Sequence, residues 1–453
     1  MFEGTIDKQN LNYGIANTSG AVENIILILI GVMPVFLLTN KFSYGSIAVM
    51  LLLSVVSIIY FFKGTPLNIY HSRAIILLTI TGSYFLFSYL ISNQSIRNLF
   101  SFGFLRYDGS FFFCYLAFFI FAVGFVNYEK ALKIYFTVLF LVFVIFGILG
   151  IFEYINNEQF FNVRIDDYYL GPIFTALNQA HNATGSVYAV VGVAAAAFFL
   201  ESNEKSPKIY YASTFIIIVI ALLITKSRGS FAGFVAGAVF VFLLSSKSLL
   251  KLLRNTGILI AALAAIVFIT GTYNRILQMV SFSDASAINR FELWDKAITL
   301  IKTSPLTGIG FARYNDVAWD YSALPLYKYA PFISIYNKGG AVFNTTNAHN
   351  SYLGLMSETG IIGLILMMVF WVFIFYIFIK AYRKEKGIFA KQVFLSISGF
   401  IAALFILSIS ENYMTAPTLM LLLSVTISLA IGYLSVCETR GNFNSKDKNK
   451  LEP

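Results

Sequence analysis

Apolar runs of roughly 18 to 25 residues recur along nearly the whole chain, each long enough for a helix to cross about 30 Å of hydrocarbon. Hydrocarbon offers no water to an unpaired backbone N–H or C=O, so such a run must be a helix that satisfies its own backbone. Composition closes off a soluble alternative. With 58% hydrophobic and 12% charged residues in 453, and a mean hydropathy of +0.75, the chain has more apolar surface than one water-solvated core can hide. The expected fold class is all-α integral membrane.

Spans are expected near 22–39, 43–62, 73–92, 109–126, 131–155, 182–200, 209–225, 229–246, 252–270, 352–379, 392–410 and 414–436, about 12 in all. The run from Val22 to Leu38 has no short apolar region with a small-residue cleavage site after it, and reads as an uncleaved first span. Placing the N-terminus in the cytoplasm puts 19 of the 32 Lys and Arg on that side, among them Lys8, Lys63, Lys130, Lys205, Lys251, Arg383 and Arg440. Seven of the other thirteen lie in one loop from Gly271 to Asn350, and a loop of that length crosses regardless of its charge. Both termini are therefore expected in the cytoplasm. The layout is a cytoplasmic segment 1–21, spans 1–9 over 22–270, a partly helical extracytoplasmic loop over 271–350, spans 10–12 over 351–436 and a cytoplasmic tail 437–453.

The formal charge of +10 forms no continuous basic face, so nucleic acid is not an expected partner. Two cysteines, Cys114 and Cys437, suggest no disulfide framework. There is no Ser-His-Asp order, no metal-ligand spacing and no GxxxxGK loop, so neither a metal, nor ATP, nor another cofactor is expected.

Three polar constellations stand at the outer ends of spans. In TKSRGSFAGF, Arg228 precedes Gly229, Gly233 and Gly237, whose four-residue spacing suits close helix approach. Lys226 and Arg228 fit either snorkelling anchors or an anion site, since a guanidinium and a helix N-terminus both suit phosphate. In INRFELWDKAITLIKTSPLTGIGFARY, Phe291, Trp294, Ile298 and Ile301 recur at helical spacing with Arg290 at the head, which predicts an amphipathic helix ended by Pro305, with Trp294 at headgroup level. The GIG at Gly308–Gly310 reads as a turn. In NTTNAHNSYLGLMSETGIIG, His349 stands at a helix start at the membrane boundary, with Asn347, Asn350, Tyr352 and Glu358 within three turns. Two lesser clusters are Asn178, His181 and Asn182 in NQAHNATG, and Glu411 with Asn412 in the last outer turn, where Glu411 is suited to neutralise an outer arginine.

Taken together, the SRG element, the R-x-x-x-W followed by P-L-T-G-I-G, and the A-H-N-S-Y-L-x-x-x-x-E-x-G-x-x-G entering a later span resemble the O-antigen ligase family, including related O-antigen polymerases. The resemblance is most specific from Thr225 to Leu364. It implies a metal-independent membrane glycosyltransferase of the GT-C type in the bacterial inner membrane, which takes a glycan from undecaprenyl diphosphate on the outer face. Its implied partners are that lipid-linked donor, a glycan or lipid acceptor, membrane lipids and other envelope-glycan assembly proteins. Carried over by motif, Arg228 and Arg290 hold the diphosphate and His349 helps activate the acceptor hydroxyl. Lys226, Asn178, Trp294, Asn350, Tyr352, Glu358 and Glu411 are the candidates for substrate contact. The shared motifs leave the acceptor open between lipid A core, the next lipid-linked repeat unit and a protein. The rival class is a transporter or flippase, whose mark would be charges buried mid-span; the spans here are nearly free of charge.

Overall fold

The computed structural model describes residues 20–38, 42–65, 68–92, 94–100, 108–156, 163–166, 171–176, 180–246, 257, 285–317 and 347–448. The expected ninth span, 252–270, apart from residue 257, and Asn178 lie outside the described residues. The helices are α1 (Gly20–Phe36), α2 (Phe42–Phe62), α3 (Ile69–Ile91), α4 (Asp108–Ile120), α5 (Tyr128–Asn156), α6 (His181–Glu201), α7 (Lys205–Ile224), α8 (Arg228–Ser245), α9 (Ala285–Thr303), α10 (Ser351–Lys384), α11 (Ile388–Ser410) and α12 (Pro417–Lys448). Among the described residues nine helices are long and apolar enough to cross a membrane, and α1 and most of α4 form shorter apolar helices. The protein is an all-α integral membrane protein. Among the described residues one antiparallel strand pair, Val163–Asp166 with Gly171–Phe174, lies between α5 and α6 in the chain.

Hydrophobicity drives these helices into the bilayer, but it does not pack them against each other, because lipid is as apolar as leucine. Small residues do that here. The three glycines of α8 lie along α11: an added Cβ would meet Ser410 from Gly229 and Leu407 from Gly233, and would come 2.9 Å from the Gly399 carbonyl from Gly237. On the facing side, a Cβ added at Gly192 of α6 would come 3.0 Å from the Phe234 ring. Helices α6, α11 and α12 are accordingly the most enclosed, whereas Leu51, Val55, Ile58, Ile148, Val369 and Val372 on the surrounding helices stay exposed as a lipid-facing belt. Gly237→Val is expected to cost about 1–3 kcal/mol by forcing α8 off α11, read as a lowered thermal midpoint of the purified protein in detergent.

Two spans differ from the sequence reading. Span 4 ends as a helix at Ile120 rather than at 126. Its terminal carbonyls are taken by other elements, with Ser57 Oγ donating to Ile120, Tyr128 Oη to Phe121 and Val123, and the Asn68 N–H to Ala122. Span 10 is continuous in hydropathy, yet its backbone breaks at Gly360, with φ 67° and ψ −173°.

Polar side chains sort to the two ends of the bundle. At one end, Tyr70 donates to Glu438 at 2.6 Å, Tyr382 donates to Glu201 at 2.6 Å and Lys130 pairs with Glu23 at 3.3 Å. The other end carries the heads of α6, α8 and α10, the tail of α11 and helix α9, and it holds the candidate site.

Candidate functional site

The local chain around His349 is fixed before any substrate arrives. Asn347 Oδ1 accepts the His349 N–H at 2.8 Å, and His349 itself sits in the left-handed region at φ 46°, which histidine and asparagine tolerate better than most residues. Asn350 then caps α10, its side chain accepting from the N–H groups of Tyr352 and Leu353 at 3.0 Å. The turn between α11 and α12 is laced to this cap. Asn412 Oδ1 accepts the Asn350 N–H at 3.0 Å, Ser351 Oγ donates to the Glu411 carbonyl at 3.0 Å, and the Met414 N–H donates to Ser351 Oγ at 3.2 Å.

That lacing aims the Glu411 carboxylate at the side chains of three other segments. Oε2 lies 2.6 Å from His349 Nδ1. Oε1 lies 3.4 Å from Arg290 Nη2 and accepts from Asn182 Nδ2 at 2.9 Å. The histidine approach is short but off-axis, so Nδ1 has no aligned acceptor; contacts of this kind often align only when substrate binds. Burial alone would raise the Glu411 carboxyl, but His349, Arg290 and His181 outweigh it and hold it below the usual carboxylate value.

Arg228 opens α8 directly after its N-cap, Ser227, whose hydroxyl donates to Asn182 Oδ1 at 2.9 Å. Gly229 packs on Ser410, the residue before Glu411, so the head of α8 adjoins the same turn. Lys226, at φ 55°, places its ammonium 5.8 Å from the centre of the Tyr154 ring.

Helix α9 ends at Thr303, two residues before Pro305. It rests on the head of α10 through Leu293, Ala297 and Leu300, a different stripe from Phe291, Trp294, Ile298 and Ile301. The helix has two apolar stripes, and the one with the smaller Ala297 approaches closest; Ile298 stays 40% exposed. Trp294 stacks edge-on against Phe291, one turn beyond Arg290. Lys296 is buried between the stripes, donating to the carbonyls of Tyr314 and Val317 at 2.9 and 3.0 Å. Burial pushes its ammonium down to about 8, against the opposing pull of Glu358 and Asp316.

After α9, the PLTGIG stretch docks into the break of α10. The Ile309 and Gly310 N–H groups donate to the carbonyls of Ser357 and Glu358, and those of Ile361 and Ile362 donate to Pro305 and Leu306. The Glu358 side chain accepts the Tyr314 N–H at 3.0 Å.

Arg290, His349 and Glu411 thus meet, with Arg228 on the adjoining helix head. Asn350, Tyr352 and Glu358 have structural partners: Asn350 caps α10, the Tyr352 hydroxyl donates to the Phe405 carbonyl at 2.7 Å, and Glu358 holds the loop after α9. The sequence points to His181 and Asn182 only as a lesser cluster, and it does not single out Ser227 or Tyr413. Tyr413 donates to the Asn182 carbonyl at 2.8 Å. Their one signal is that polar residues gather at the ends of spans on the same side as Arg228 and His349.

This arrangement defines a polytopic membrane protein with a cationic cluster gathered around one buried carboxylate at a single end of the bundle. Residues 213–368 match the family model described as O-antigen ligase, which supports a likeness of that stretch to the O-antigen ligase/polymerase family, whose members are membrane glycosyltransferase-like enzymes. No curated protein matches the chain.

Proposed function

We propose that the protein transfers a glycan from undecaprenyl diphosphate to an acceptor hydroxyl at the outer face of the bacterial inner membrane, with both termini in the cytoplasm and the acceptor a lipid or glycan of the cell surface. The observation that carries this reading is the meeting of Arg290 and His349, 59 positions apart in the sequence, on one carboxylate beside the head of α8. In the reaction, the acceptor oxygen bonds to the anomeric carbon and the bond from that carbon to the diphosphate breaks, its electron pair leaving with the phosphate oxygen. Arg290 and Arg228 oppose the charge that develops there, more strongly than water-screened groups would. His349 takes the hydroxyl proton.

The test is a deletion strain complemented with Arg228→Ala or Arg290→Ala. Each variant is expected to reach the membrane, leave lipid-linked glycan accumulated and lower transfer by about 100-fold. Normal surface polysaccharide in both would overturn the site. A gel of surface polysaccharide from the uncomplemented strain separates the acceptors: no glycan attached means a ligase, and one repeat attached without long chains means a polymerase.

A further inference from the structure

Glu411 lies beyond the matched family domain, which ends at residue 368. Both of its oxygens are engaged, one by His349 Nδ1 at 2.6 Å and the other by Arg290 at 3.4 Å and Asn182 at 2.9 Å. Its side chain is 8% exposed, against 25% for His349 and 20% for Arg290, so it stands behind the two groups a substrate can reach. Its backbone is tied through Ser351 and Asn412 to the segment that carries His349. A side chain that merely neutralised an arginine would need no such tie to the histidine.

We propose that Glu411 is a positioning residue: it keeps the proton of neutral His349 on Nδ1, leaves Nε2 as the nitrogen that accepts the acceptor's proton, and holds Arg290 in register with that nitrogen. This rests on the transferase reading above. A ring nitrogen facing a carboxylate carries the proton, which frees the other lone pair. When Nε2 takes the hydroxyl proton, the imidazolium that forms is balanced by Glu411, which stays ionised; the proton then leaves Nε2 for the departing diphosphate or for water. The shared carboxylate also fixes the distance between the base and a diphosphate-binding guanidinium, and that distance decides whether the hydroxyl and the anomeric carbon meet.

Among the described residues, the other titratable groups that act on this carboxylate or its turn are Arg290 on α9, His181 at the head of α6 and Tyr413 in the same turn. Membrane vesicles from the deletion strain, which retain accumulated donor and native acceptor, are complemented with wild type, Glu411→Gln, Glu411→Asp or His349→Asn. Initial loss of lipid-linked glycan is followed and normalised to the amount of protein in the membrane.

Glu411→Gln is expected to be about 100-fold slower, and Glu411→Asp, which keeps the carboxylate, should recover part of that loss. If His349→Asn is inactive while Glu411→Gln keeps the wild-type rate, or Glu411→Asp is no better than Glu411→Gln, Glu411 does not position the base and this proposal fails alone. Wild-type rates in His349→Asn overturn the transferase reading, and the proposal with it.

Discussion

His349→Asn is expected to slow glycan transfer by about 10²- to 10⁴-fold, the usual contribution of a positioned general base, while the protein stays in the membrane at its normal level. Asparagine is the informative replacement. The backbone at 349 is left-handed, with φ 46°, a conformation that asparagine adopts readily but that costs alanine about 1 kcal/mol or more. An alanine variant would therefore mix the loss of the base with a strained entry into α10. Asparagine also leaves in place the Asn347 contact to the residue 349 N–H and the Asn350 cap, both of which use backbone groups. Because Arg228 and Arg290 are untouched, donor binding should survive, and the deficit should fall on turnover rather than on half-saturation by donor. Unchanged transfer would remove His349 from the chemistry.

The spans were legible because membrane insertion reads local hydropathy, and each run could be judged without its neighbours. The same reasoning found the end of the bundle where Arg228 and His349 stand at helix heads, with Arg290 on α9 beside them. It could not see what depends on contacts between distant segments. Span 4 looked longer than its helix because Phe121, Val123 and Phe125 are as apolar as the helix before them, while the hydroxyl that takes two of their carbonyls sits on Tyr128. The face that α9 presents to the bundle, Leu293, Ala297 and Leu300, is not legible in the sequence, because the helix carries two apolar stripes and only the packing partner chooses between them. Glu411 was noticed as a counter-charge for an arginine. Its approach to His349 depends on the lacing of Ser351 and Asn412 across two helix ends, and no pattern in the sequence prints such a contact.

The break at Gly360 was equally hidden, and there the largest effect on folding is expected. Gly360 has φ 67° and ψ −173°, a region open essentially to glycine alone. A Cβ there would strike the Leu306 carbonyl and the Thr307 nitrogen, and one at Gly308, also left-handed at φ 69°, would strike the Glu358 carbonyl. These obstacles are backbone atoms and cannot rotate away. The four hydrogen bonds between residues 305–310 and 357–362 would go with them, leaving unpaired groups at a depth where water is scarce. Gly360→Val is therefore expected to cost more than about 4 kcal/mol and to deplete the protein from the membrane. Gly64→Ala is the matching control: its φ is 81°, but an added Cβ meets nothing within 4 Å, so it carries backbone strain of about 1–2 kcal/mol without a collision. Gly308→Ala tests the functional consequence. The PLTGIG loop is the joint by which α9, carrying Arg290, is held to α10, which follows His349. A variant that still reaches the membrane should lose transfer out of proportion to its abundance, because the guanidinium and the base no longer share one frame. Wild-type abundance of Gly360→Val, or transfer by Gly308→Ala that simply tracks its abundance, would show that the joint does not set that frame.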